Sequence, residues 1–145
     1  MHYDFIEIGT SDYDTLIERA DDYTVGLSVE CVRYYLDRLP NKKQVKKINQ
    51  AVSPDNTTGK VDVYYIPDEL ITEHSLPQHI RGCNCINDYH AQHLEHKHLV
   101  AVDQVDKITI AQLFQNNQVE SVDLLKLDVE GSDCAVLGHL LDYLK

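Results

Sequence analysis

The chain has 145 residues, 13 Lys plus Arg against 24 Asp plus Glu, and an apolar fraction of 43%, which is enough for one compact, acidic, soluble domain around a single core. A formal net charge of −11 excludes a general nucleic-acid binder, because phosphate contacts need a basic face, and it disfavours an anionic membrane surface for the same reason. No run approaches the roughly 18–20 apolar residues of a spanning helix, and Met1-His2-Tyr3-Asp4 lacks the basic, then apolar, layout of a signal peptide, so a cytoplasmic protein is expected. Cys31, Cys83, Cys85 and Cys134 are too scattered for a disulfide framework, and free thiols are expected.

Tyr3 to Gly9 is a β-favouring run closed by glycine, and Tyr13, Leu16, Ile17 and Ala20 follow with helical spacing. Thr24 to Val29 reads as a second strand. The next helix carries Val32, Tyr35, Leu36 and Leu39 on one face and is closed by Pro40. Lys43 to Val52 is a third strand candidate. This alternation predicts an α/β domain with a doubly wound, mainly parallel, Rossmann-like sheet. Lys60 to Ile66 and Leu99 to Val105 alternate like half-exposed strands and are expected to pair as an antiparallel addition. Between them the polar stretch 67–98 is too long for an idle connection and is expected to be an inserted lid or substrate loop with a short helix. A helix near Thr109 to Asn116 precedes a strand from Ser121 to Asp128, a turn at Glu130-Gly131 and Ser132 as an N-cap. The last helix is expected to bury Val136, Leu137, Leu140, Leu141 and Leu144 on one face.

Three groups of residues carry chemistry. Glu7-Ile8-Gly9-Thr10-Ser11-Asp12 stands at the carboxyl end of the first strand, where open α/β sheets bind ligands, and Gly9 admits a sharp turn. Thr10 to Tyr13 lack the further glycines of a dinucleotide turn, which disfavours an NAD-dependent oxidoreductase. Glu7 and Asp12 would repel a diphosphate and suit a ligand with an ammonium group, such as S-adenosylmethionine. Glu30 ends the second strand 21 residues after Gly9, the spacing at which such folds accept hydrogen bonds from ribose, although a helix N-terminal charge is the competing reading. Lys126, Asp128 and Glu130 then alternate within a Leu- and Val-rich strand and are expected to converge at one end of the sheet, either as a site or as a structural ion pair.

At these residues the chain resembles the FkbM-type methyltransferases, a branch of the class I S-adenosylmethionine-dependent enzymes. The resemblance rests on Phe5 to Thr10, Val29-Glu30, Asn49 to Ser53, Gly59 and, above all, Leu125-Lys-Leu-Asp-Val-Glu-Gly-Ser-Asp133. It covers most of the chain apart from the 67–98 insert. It implies that Glu7, Gly9, Thr10 and Ser11, with Asp12 beside them, surround the methionine half of S-adenosyl-L-methionine. Glu30 and the neighbouring Cys31 would hold the ribose, and Gln50, Ala51 and Val52 would lie near adenine. Asp128 would serve as base or acceptor ligand on a small-molecule or glycan hydroxyl, oriented by Glu130 and Lys126. Cys31 stands where the family usually has proline, and the Asp12-Tyr13 pair replaces a small residue. By the same resemblance a full sheet has seven strands, so a single domain over 1–145 reads as the cofactor half of a larger fold. Its fourth strand is then expected at a sheet edge, covered by a second copy in a homodimer or by the added hairpin.

Six of the eight histidines fall between positions 74 and 98, beside Cys83 and Cys85. Cys83, Cys85, His90 and His93 are the candidate zinc ligands, although a Cys-x-Cys followed by histidines two or three apart is no standard spacing. A divalent cation on Asp128, Glu130 and a loop histidine is a second metal reading. A non-catalytic or metal-binding module on the same fold is the reading from another class. Arg81-Gly82-Cys83-Asn84 is expected to contact substrate.

Overall fold

The computed structural model of the protein describes residues 1–145 as a mixed α/β fold with two sheets. Four strands form the first sheet: β1 (His2–Ile8), β2 (Gly26–Val29), β3 (Val45–Ile48) and the last strand of the chain, β8 (Ser121–Leu127). They lie in the order β3-β2-β1-β8 and all pairs are parallel. β2 is buried along its whole length and β1 from Phe5 onward, as central strands covered on both faces must be. The register aligns Ile8 with Val29 and Leu127, and Val29 with Ile48. All four strands therefore end at one level, and Gly9, Glu30, Asn49 and Asp128 leave the sheet along a single edge. That alignment builds the site.

The connections are short helices. α1 (Leu16–Arg19) is a single turn begun by Thr15, whose backbone N–H and hydroxyl both donate to Glu18 Oε2, at 3.2 and 3.0 Å. It is shorter than the expected helix, and Tyr13 lies outside it. α2 (Arg33–Arg38) buries Tyr35 and Leu36.

The candidate strand at 43–52 divides in two. The chain leaves the first sheet after Ile48, and β4 (Ala51–Val52) joins a second sheet. The cause is Asn49, whose Nδ2 donates to the carbonyls of Glu30 and Cys31, at 2.9 and 3.0 Å, where a further ladder bond would otherwise form. β5 (Gly59–Tyr65) follows. The 67–98 insert is ordered rather than an open loop. It holds α3 (Asp68–Glu73), three 3₁₀ turns (Gln78–Gly82, Ala91–His93 and Lys97–Leu99) and β6 (Cys85–Ile86). β7 (Ala101–Ile108) begins two residues later than expected and runs further. The second sheet has the order β4-β7-β5-β6, with β5 antiparallel to β7 from Gly59↔Lys107 to Tyr65↔Ala101. It packs Val61, Val63, Tyr65 and Val105 on Val32, at the N-cap of α2, and on Tyr35 within that helix.

The insert has its own apolar cluster of Ile66, Ile71, Ile80 and Leu99. A network of four charges ties it to the residues after Gly9. Asp12 pairs with Arg38 at 2.6 Å and Arg81 at 2.9 Å, and Asp68 pairs with the same two arginines at 2.8 and 3.3 Å.

α4 (Ile110–Asn116) is capped by Thr109, whose Oγ1 accepts from the Gln112 N–H at 3.1 Å. β8 forms the edge of the first sheet, with Leu124 exposed. α5 (Asp133–Tyr143) starts at Ser132, but the serine side chain makes no cap bond, and Asp133 instead accepts from the Val129 N–H at 2.8 Å. Of its five expected core residues only Val136 and Leu140 are buried. Leu137, Leu141 and Leu144 form the adjacent stripe, rotated by about 100° on the helix, and remain exposed.

Candidate functional site

A cleft open to solvent runs along the carboxyl edge of the first sheet. Its floor is the turn after β1. Gly9 has a φ of +83° and donates its N–H to the Val29 carbonyl at 2.8 Å. A Cβ there would stand 2.0 Å from the carbonyl oxygen of Asp128, so only glycine lets β1 and the end of β8 approach this closely. Asp128 returns the contact by donating its N–H to Ile8 O at 2.9 Å.

Glu30 is the most constrained group at the site. Its side chain is buried, and Oε2 accepts from the N–H groups of Thr10 and Ser11 at 2.9 and 2.7 Å. Oε1 accepts from the Val32 N–H at 2.8 Å and from the Cys31 thiol at 3.4 Å. Burial pushes its pKa up against these bonds, which pull it down. Burial and the Glu30 charge together hold the Cys31 thiol well above its ordinary value, so that thiol is a hydrogen-bond donor and no nucleophile. Glu30 thus shapes the glycine turn from within, in addition to lining the cleft.

The three alternating charges of β8 part company. Lys126 stands opposite Glu7 in the parallel register, and its Nζ meets Glu7 Oε1 at 2.8 Å. Glu7 is fully buried, and its other oxygen accepts from the Leu16 N–H at 2.8 Å, fixing the start of α1. Glu130 lies in the turn after β8 and meets His90 Nε2 at 3.1 Å. Asp128 stays exposed on the cleft wall and has no ion-pair partner.

These positions correct four expectations. Glu7 and Asp12 do not face the cleft: the first is consumed by Lys126 and the α1 backbone, the second by Arg38 and Arg81. Lys126 lines the cleft but is held by Glu7, so it does not orient Asp128. Arg81 belongs to the charge network rather than to the cleft, whereas its neighbours Gly82 and Asn84 do line the cleft. Gly9, Thr10, Ser11, Glu30, Cys31, Gln50, Ala51 and Val52 are brought together there as expected from the strand ends.

Sequence reasoning did not single out Tyr13, Asp14 or Ile86 as ligand contacts, and the structure adds all three to the lining. Asn84 carries the sharper signal. Its Nδ2 donates to Arg81 O at 3.1 Å while its Oδ1 is buried without a partner, an acceptor left for a ligand's hydroxyl or ammonium group. Ser11 joins floor to insert by donating its hydroxyl to Arg81 O at 2.6 Å.

The four candidate metal ligands do not form one group. Cys83 and His90 come together with Glu130, whereas Cys85 and His93 stand apart from that cluster. Burial, with the charge of Glu130 next, pushes the Cys83 thiol up to about 11. His93 is fully buried, and burial with the neighbouring His90 and His96 brings it down to about 4.

The cleft is therefore lined by four carboxylates, from Asp14, Glu30, Asp128 and Glu130, against one lysine already paired with Glu7. Such a wall attracts a cation and sugar hydroxyls and repels a diphosphate. It contains no glycine-rich phosphate cradle. A family model described as Methyltransferase FkbM domain matches residues 7–144. No curated protein and no solved structure gives a significant match to the chain.

Proposed function

Because the chain belongs to the FkbM methyltransferase family, we propose that it is an S-adenosylmethionine-dependent enzyme that methylates a hydroxyl of a small molecule or glycan. The observation that carries this reading is the acidic cleft at the glycine turn, with its excess of carboxylates and no basic phosphate site. The donor set fits the cofactor: carboxylates suit its sulfonium, ammonium and ribose hydroxyls, and the unpartnered Asn84 Oδ1 offers one more acceptor.

When bound, S-adenosylmethionine supplies an electrophilic methyl group on sulfur. The residues of the chain do the rest. Glu30 accepts from ribose at Oε1, where the 3.4 Å bond from the Cys31 thiol is the weakest of its four and the one to give way. Its other oxygen keeps the Thr10 and Ser11 amides in place, so the floor of the cleft does not move. Ala51 and Val52, which line the cleft, supply the apolar wall for adenine. Asp128 is exposed to the cleft and unpaired, and it takes the proton of the acceptor hydroxyl as that oxygen attacks. The 78–98 part of the insert, anchored through Ser11 and Arg81, closes the acceptor side and limits water.

Asp128→Asn separates binding from chemistry. A positioned general base contributes on the order of a hundredfold or more, so the variant is expected to bind S-adenosylhomocysteine normally. Its release of that product should fall about a hundredfold with an acceptor found by screening hydroxylated small molecules and glycans. Full turnover by the variant would remove Asp128 from this role.

A further inference from the structure

We propose that Cys83, His90 and Glu130 form a zinc site that pins the insert to the turn following β8. Each residue places one ligand atom within 4.8 Å of the other two, and His90 Nε2 already lies 3.1 Å from Glu130 Oε2. The three come from separate segments: Cys83 follows the Gln78–Gly82 turn, His90 precedes the Ala91–His93 turn, and Glu130 follows β8. Zinc holds sulfur, nitrogen and oxygen ligands at about 2.0–2.3 Å, so its ligands stand roughly 3.3–3.8 Å apart. The cluster reaches that size by side-chain movements of about an ångström.

The chemistry selects the metal. A thiolate, an imidazole and a carboxylate together suit zinc, whereas magnesium and calcium ask for oxygen ligands throughout. The electrostatics select a cation. Glu130 has no lysine or arginine partner, only His90, and Asp128, which has no ion-pair partner, lines the same cleft wall. Three protein ligands leave a fourth position for water or a ligand oxygen, as in zinc sites that stay open. Glu130 is shared with the cleft wall, so the ion would sit at the rim of the acceptor side.

Proton accounting is simple. His90 Nδ1 accepts from the Gln92 N–H at 3.1 Å, so the imidazole proton is on Nε2 and points to Glu130 without metal. Zinc takes Nε2, the ring proton moves to Nδ1, and the Gln92 N–H, which is exposed, exchanges its bond to Nδ1 for one to water. The Cys83 thiol releases one proton to solvent as it becomes the ligand. His93 supports the site from behind, since its Nδ1 accepts from the His90 N–H at 3.3 Å.

The site stands apart from the methyltransferase reading, and it is tested without any adenosyl ligand. The purified chain, stripped with a chelator and dialysed, is titrated with zinc by calorimetry and with cobalt by absorbance. One zinc per chain is expected, together with a thiolate-to-cobalt charge-transfer band that Cys83→Ser removes. His90→Ala and Glu130→Gln are expected to weaken zinc binding by about tenfold or more, and His98→Ala, an exposed histidine outside the cluster, should leave it unchanged. Circular dichroism of each variant confirms that the fold is retained. No zinc at a one-to-one ratio, or a cobalt band that persists in Cys83→Ser, would overturn the site, whether or not S-adenosylhomocysteine binds.

Discussion

Gly9→Ala is expected to destabilise the chain by about 3 kcal/mol or more and to abolish binding at the cleft. Two costs act together. An alanine at a φ of +83° is strained by about 1–2 kcal/mol. Its Cβ would also stand 2.0 Å from the Asp128 carbonyl oxygen and 3.2 Å from Val129 Cγ1. The first of these is backbone and cannot swing aside, so β1 and the end of β8 must part. That breaks the Asp128 N–H bond to Ile8 and moves Asp128 with it. Urea denaturation should show a midpoint well below that of the parent chain with a similar slope, and calorimetry should show no adenosyl binding. A variant with parental stability and parental affinity would mean that the two strand ends do not meet as described.

Glu30→Gln should show nearly as large an effect through a different mechanism. The carboxylate accepts three backbone N–H groups and one thiol from inside the protein. An amide keeps one acceptor oxygen and turns its NH₂ toward amides that also donate. Each buried donor left without a partner costs about 1–3 kcal/mol, so a loss of about 3 kcal/mol in stability is expected. The Thr10-Ser11 turn loses its anchor at the same time, and affinity for S-adenosylhomocysteine should fall about a hundredfold, which is roughly 2.7 kcal/mol. Unfolding midpoints and calorimetric titrations read the two effects separately. Unchanged affinity in a folded Glu30→Gln variant would show that Glu30 neither holds the ribose nor shapes the turn that does.

The strand ends were the most legible part of the molecule. Gly9, Glu30 and Asp128 each follow a short β-favouring run, and in a parallel sheet such ends share one edge. What escaped the sequence depends on residues far apart in it. Alternation placed Lys126, Asp128 and Glu130 on one face, but only register shows that Lys126 stands opposite Glu7, 119 positions away. Asp12 looked free to meet an ammonium group because Arg81, its partner, lies 69 positions on in a segment without periodicity. That segment folds through 3₁₀ turns whose buried Ile80 and Leu99 repeat with neither strand nor helix spacing. The break at Asn49 was hidden for a related reason. A side chain bonding to the carbonyls of Glu30 and Cys31 redirects the chain into a second sheet, and a propensity argument cannot see it.

The central claim is that the acidic cleft at Gly9 holds an adenosyl sulfonium cofactor. Calorimetric titration of the purified chain with S-adenosylhomocysteine and S-adenosylmethionine, with NAD as comparator, tests it most directly. One saturable site for both adenosyl ligands and no heat from NAD is the expected result; binding of NAD alone, or of none of the three, would contradict it.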